Sequence, residues 1–174
     1  LGFYLMARLV KRISGLQLDE YVDFHFYRPM GITSLQYLPW QRNRIDQIVP
    51  TEKDNYFRLS TVRGYVHDMG AAMLGGVSGH AGLFGTAEDV AKIFQMLLQN
   101  GNYGGQSYLS SAVIQEFTKR YAGESRRGLG FDMKQLNPKR NPNMSNLASA
   151  NTFGHTGFTG TAVWADPDQD LVFV

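Results

Sequence analysis

The chain has no cysteine among its 174 residues. That absence removes disulfide frameworks, zinc ribbons, iron–sulfur ligation and thiol catalysis together. An excess of one charge is also missing: 17 Lys and Arg stand against 15 Asp and Glu, a net charge of +2. Nucleic-acid recognition needs clustered basic residues, and no such footprint is present. No apolar run approaches the ~20 residues that a membrane helix requires. With 43% hydrophobic and 18% charged residues, the composition fits a folded core and not a disordered tail.

Glycine is plentiful, at 19 residues, and aromatics reach 13%. Glycine at this density marks tight turns or close approach of the backbone to a ligand. The length suits one domain over residues 1–174, long enough to bury a core. Both ends fall inside regular patterns. Leu1, Leu5, Met6, Leu9, Val10 and Ile13 recur at helical spacing up to Gly15, with no capping residue ahead of them. Leu171, Val172, Phe173 and Val174 read as a buried strand that stops without a turn. The expectation is a fragment, the C-terminal portion of a larger fold.

A second helix is expected over residues 18–27, with Leu18, Tyr21, Val22, His25 and Phe26 on one stripe and Pro29 ending it. Residues 30–40 alternate loosely and read as a short strand or an extended loop. Residues 41–65 are polar without a period and read as loop with some short helix. Residues 66–85 are small and glycine-rich. The clearest helix follows: Thr86 as cap, Asp89 at the third position, then Val90, Ile93, Phe94, Leu97 and Leu98 on one face, closed by Asn100-Gly101. A short helix from Ser110 or Ser111 to Phe117 would turn Val113, Ile114 and Phe117 inward. Strands are expected over 129–133, 161–165 and 171–174, the last two joined by Asp166-Pro167-Asp168-Gln169-Asp170. Helices followed by an antiparallel sheet give an α+β layout.

Few segments offer chemistry. His67, Asp68 and His80 share a segment, but their spacing matches no metal-ligand pattern, and structural hydrogen bonding is the better reading. Gly75-Gly76-Val77-Ser78-Gly79 lacks the Lys of a phosphate-binding loop. Ser78 sits close to a nucleophile-elbow spacing, but its last glycine is displaced by one and no apolar strand leads in, so a catalytic Ser78 is rejected. No metal and no cofactor are called for. Residues 153–160, Phe-Gly-His-Thr-Gly-Phe-Thr-Gly, are the most informative. Gly154, Gly157 and Gly160 clear side chains from the backbone, while His155 and Thr156 set a proton donor beside a hydroxyl. Such an edge can receive an acyl group or a carboxylate, and a glycine-rich turn with an incidental histidine stands as the alternative.

The run G-H-T-G-F-T-G-T-A-V-W-A-D-P-D-Q-D-L-V-F-V over 154–174 resembles the serine β-lactamase and penicillin-binding family, in its class C and esterase-like branch. Residues 66–101 (V-H-D-M-G through L-L-Q-N-G) and the opening L-G-F-Y-L-M-A-R-L-V-K-R-I-S-G are similar to it in the same order. The resemblance implies an incomplete β-lactamase/transpeptidase-like fold lacking its N-terminal part. It implies that His155 takes the Lys place of the K-T-G triad, that Thr156 joins the hydrogen-bond network, and that the Phe158 N–H is an oxyanion donor. Gly157 and Thr159 would line the substrate.

One departure matters equally. The family attacks with the Ser of S-x-x-K. Three positions before Lys11, Lys53, Lys92, Lys119, Lys134 and Lys139 stand Arg8, Pro50, Asp89, Glu116, Phe131 and Leu136, none of them serine. These residues therefore cannot run the family reaction alone. Two functions stay open: part of a serine hydrolase acting on a β-lactam, a peptidoglycan peptide or an ester, or a non-catalytic module of a larger wall enzyme such as a glycoside hydrolase family 3 β-N-acetylglucosaminidase. The partner that completes the sheet would be the missing N-terminal part or a second copy. The expected location is periplasmic or extracellular.

Overall fold

The computed structural model describes residues 1–42, 45–121 and 125–174, except for the side chain at position 42. Residues 43–44, inside the polar stretch read as loop, lie outside the described residues. The chain divides into two compact units, Leu1–Thr86 and Ala87–Val174.

The first unit opens with α1 (Gly2–Ser14), which Gly15 caps in the left-handed region, its N–H reaching Lys11 O at 2.9 Å. Leu18–Val22 forms α2, whose Glu20 carboxylate accepts from the Gln17 N–H at 2.9 Å. The expected helix then widens into a π turn over Asp23–Tyr27, marked by Arg28 N–H to Asp23 O at 3.0 Å and Ile32 N–H to Tyr27 O at 2.8 Å. An i→i+5 turn inserts one residue into the stripe. Burial therefore passes from the expected His25, which is exposed, to Tyr27, which is buried.

Residues 30–40 resolve into buried Met30, Ile32 and Leu35, strand β1 (Gln36–Tyr37) and a 3-10 turn over Pro39–Arg42. Residues 41–65 hold the expected short helix, a 3-10 turn over Ile45–Gln47, and a hairpin where loop was expected: β2 (Pro50–Asp54) pairs with β3 (Ser60–Arg63). Val62 is the one apolar residue its strands bury, so no period of two marks them. The Asp54 carboxylate fixes the turn instead, accepting from the N–H groups of Tyr56, Phe57 and Arg58 at 2.9, 2.8 and 2.9 Å. Those bonds, Phe57 foremost, hold the Asp54 carboxyl below its ordinary range. Asp68 caps α3 (Met69–Met73), and β4 (Leu83–Phe84) pairs with β1.

The second unit begins with α4 (Ala87–Leu98). Its Val90, Ile93, Phe94, Leu97 and Leu98 pack with Met133, Phe153 and Ala165, as the 3.6-residue period requires. Asn100 and Gly101 both take positive φ, 53° and 90°, and lead into the small hairpin β5 (Asn102–Tyr103) and β6 (Gln106–Ser107). Ser110 caps α5 (Ser111–Thr118) by accepting from the Val113 N–H at 3.3 Å. Only Ile114 turns inward; Val113 and Phe117 are exposed, because a two-turn helix resting on one narrow stripe buries a single central position.

The strand expected over 129–133 is the end of a tight hairpin. Arg127 bridges Asp132, and the Gly128 N–H reaches Phe131 O at 3.1 Å around Leu129-Gly130. Only Asp132–Met133 enters the sheet, as β7. A Cβ on Gly128 would lie 2.6 Å from Phe117 O, so the chain must turn at a residue without one. Then come β8 (Phe153–Thr156), β9 (Ala162–Asp166) and β10 (Leu171–Phe173), all antiparallel, in the order β10-β9-β8-β7. Helices with an antiparallel sheet make the α+β class. Phe153 anchors β8 in the core, its ring centroid 6.3 Å from Phe94 and 5.1 Å from Phe131.

Candidate active site

The strand β8 runs out of the core along its length: Phe153 and Gly154 are buried, and His155 and Thr156 are exposed beyond the packed layer. The register pairs Phe153 with Ala165, Gly154 with Trp164, His155 with Val163 and Thr156 with Ala162. Gly154 is needed for close approach: a Cβ there would stand 2.0 Å from Val163 O and 2.9 Å from Trp164 Cα. Gly157 closes the β8–β9 connection by donating to Thr161 O at 2.7 Å, and Gly160, at φ +93°, makes the reversal that a side chain would strain. Phe158 projects from the tip, 91% exposed, with Thr159 exposed beside it. His155, Thr156, Gly157, Phe158 and Thr159 thus share one strand end and its turn.

His155 has two ring contacts. Nδ1 lies 2.7 Å from Thr156 O, and Nε2 lies 3.4 Å from Arg127 Nη1. A carbonyl only accepts and a guanidinium only donates. The pair of contacts assigns the proton to Nδ1 and the lone pair to Nε2. Arg127 also faces the buried carboxylate of Asp132 at 3.7 Å, which Arg126 Nε approaches at 3.2 Å and the Met133 N–H meets at 3.0 Å. Neither Arg127 nor Asp132 stood out in the sequence. The signal was available: Gly128 and Gly130 beside an apolar pair spell a turn, which would have set Arg127 opposite Asp132.

The other polar cluster lies in the first unit. Ser78 Oγ is 3.0 Å from His80 Nδ1, His80 Nε2 is 3.0 Å from Asp68 Oδ1, and the Tyr4 hydroxyl donates to that oxygen at 3.4 Å. The carboxylate must accept, so His80 carries its proton on Nε2 and accepts a hydrogen bond from the Ser78 hydroxyl at Nδ1. A hydroxyl, an imidazole and a carboxylate in series are the parts of an acyl-transfer relay. Ser78, however, is 2% exposed, which shuts its oxygen off from a substrate. The series instead ties α1, α3 and the glycine-rich segment together, with the Tyr4 and His80 rings 4.3 Å apart. The Ala71 N–H holds the Asp68 carboxyl below its ordinary range; burial opposes it, and His80 and Tyr4 add to it. His67 Nε2 lies 3.3 Å from Glu52, so it too sits in a polar contact. Among the described residues no group of three or more His, Cys, Asp or Glu is placed to hold a metal ion. Among them, too, no helix is long and apolar enough to cross a membrane.

The β-lactamase family model matches residues 1–174, so the chain belongs to that family. An Escherichia coli K12 protein with the provisional name D-alanyl-D-alanine carboxypeptidase is 34% identical over 184 positions, covering 99% of this chain and 42% of the relative. A Salmonella typhi protein of the same name is 33% identical with the same coverage. The chain therefore spans about 42% of the length of these curated relatives. Among solved structures, a penicillin-binding protein homologue from Caulobacter crescentus aligns with a TM-score of 0.65 at 22% identity, over 98% of this chain and 49% of that one. A β-lactamase from Mycobacterium bovis aligns with 0.64 at 21%, over 98% and 52%. These likenesses give the fold, of which this chain is a part.

Proposed function

We propose that the protein to which this chain contributes is a serine acyl-transfer hydrolase of the penicillin-binding type, acting on a peptidoglycan peptide or a related amide or ester. One observation carries the reading: His155 and Thr156 stand exposed together at the end of a strand that leads directly into a glycine-bounded turn. Family membership and the carboxypeptidase-named relatives support it. In this reading Thr156 lends its hydroxyl to the hydrogen-bond network, His155 takes the Lys place, and the Phe158 N–H faces the oxyanion. Gly157 and Thr159 line the acyl group. One oxyanion donor contributes about 2.7–4 kcal/mol of transition-state stabilisation, the scale on which the turn matters. The attacking hydroxyl is supplied from outside these residues, because no serine here stands three positions before a lysine. A wall-facing enzyme of this kind works in the periplasm or outside the cell.

The test is covalent labelling. A full-length protein containing this chain is incubated with a fluorescent penicillin and, separately, a fluorophosphonate, and the adduct is mapped. A labelled serine outside these residues supports the reading. A folded but unlabelled full-length protein points to a non-catalytic module. The 174-residue chain alone is expected to turn over neither nitrocefin nor p-nitrophenyl acetate above background. Saturable turnover lost on substituting Ser78 would overturn both the reading and the rejection of Ser78.

A further inference from the structure

We infer that Arg127 is the positioning residue of this strand end: it holds the His155 ring as the Nδ1–H tautomer and brings the fixed positive charge that a neutral imidazole in the Lys place does not carry. The inference depends on the proposed function only for what the charge would meet; the geometry stands by itself.

Three observations carry it. The Nε2 lone pair of His155 is directed at Arg127 Nη1, 3.4 Å away, while Nδ1 is committed to Thr156 O at 2.7 Å. The ring is thereby held at both nitrogens, and both contacts require the same tautomer: Thr156 O can only accept, and Arg127 is a donor that never gives up its proton. Arg127 is itself fixed beside the sheet, by its backbone bridge to Asp132 and by the Asp132 carboxylate at 3.7 Å. Yet its side chain is 51% exposed. A guanidinium has five N–H donors, so these two contacts leave donors for an anion arriving beside the His155 ring. The charge of the triad is thus displaced from the strand residue to its neighbour. The chemistry that fits is a carboxylate on the incoming ligand.

The experiment uses the 15N-labelled chain, with His155 assigned through H155Q. Long-range 1H–15N spectra report the tautomer directly. The parent and R127K are expected to show Nδ1–H, and R127M, in which the Thr156 carbonyl alone favours that form, is expected to populate in part the Nε2–H form that free imidazole prefers. Acetate titration, followed on the Thr156 and Gly157 amides with acetamide as the neutral control, is expected to weaken about tenfold or more in R127M and to recover in R127K. Amide shifts of β9 and β10 show whether R127M keeps the sheet. An Nε2–H ring in the parent, or an unchanged tautomer in a folded R127M, overturns the positioning role. Acetate binding that ignores R127M overturns the charge. None of these readouts needs turnover, so covalent labelling can fail while this result stands, and the reverse.

Discussion

Replacing Gly154 with alanine should separate β8 from β9 at the point that supports His155. The added Cβ would lie 2.0 Å from Val163 O and 2.9 Å from Trp164 Cα, both backbone atoms, so no rotamer change relieves it. Ordinary C···O contacts begin at about 3.3 Å, so the strands must part by roughly 1 Å. A ladder bond stretched that far is no longer a hydrogen bond. Losing two bonds costs about 2 kcal/mol, and overpacking adds about 1–3 kcal/mol, for a total of about 3–5 kcal/mol. With a urea slope of about 2 kcal/mol/M, the midpoint falls by about 1.5–2.5 M. The probe is local: Trp164 pairs with Gly154, and the only other tryptophan, Trp40, belongs to the first unit. A W40F background makes the fluorescence report the second unit alone. Gly2→Ala is the control, because nothing lies within 4 Å of a Cβ at that position. A G154A midpoint within about 0.3 M of the parent would refute the close-approach argument and the register drawn from it.

Gly157→Ala should be far milder, about 1 kcal/mol or less, because its Cβ meets the Thr161 hydroxyl, which can rotate, and not backbone; a urea loss matching G154A would contradict this. Asp68 is held below its unfolded value, so its contribution is complete above the unfolded pKa of about 3.9 and is lost as pH falls through the depressed folded value. D68N should therefore melt below the parent at neutral pH, with the gap closing in acid; a gap constant down to strongly acidic pH would contradict the assignment. Burial, helped by Asp19, pushes the Tyr37 hydroxyl up to about 12, and burial raises Tyr27 further. In a phenolate absorbance titration followed while circular dichroism still reports folded chain, these two of the nine tyrosines should ionise last. Nine tyrosines ionising together would count against their burial.

Elements with a strong local period were legible in the sequence. Helix α4 and the β9–β10 hairpin appear where their apolar spacing and turn residues put them, because each buries one face against the same core of Phe94, Phe153 and Ala165. Where the fold departs from expectation, local period and local energy disagree. The π turn at Asp23–Tyr27 leaves composition untouched while shifting burial by a residue. The β2–β3 hairpin buries a single apolar residue, Val62, and its turn is held by one carboxylate gathering three N–H groups, a pattern that hydrophobic periodicity cannot register. The apolar run at 129–133 reads as a strand by content, yet glycines at 128 and 130 fold it back on itself.

The candidate site divides along the same line. His155, Thr156 and the three glycines lie within seven consecutive positions, and the structure keeps them together because β8 and its turn are a single local element. The contacts that set their chemistry are not local. Arg127 precedes His155 by 28 positions and reaches it only because the 126–133 hairpin carries it to the sheet beside Asp132. Ser78, His80 and Asp68 behave alike: spacing excludes a metal and a nucleophile elbow, but only the fold shows the three side chains in series with the serine shut in. A motif therefore says which groups are offered, and the tautomer and charge of those groups are decided by residues that no motif contains. For this strand end the deciding residue is Arg127. If His155 holds a lysine's place, as proposed, the charge is not lost, because an arginine stands 3.4 Å from its ring.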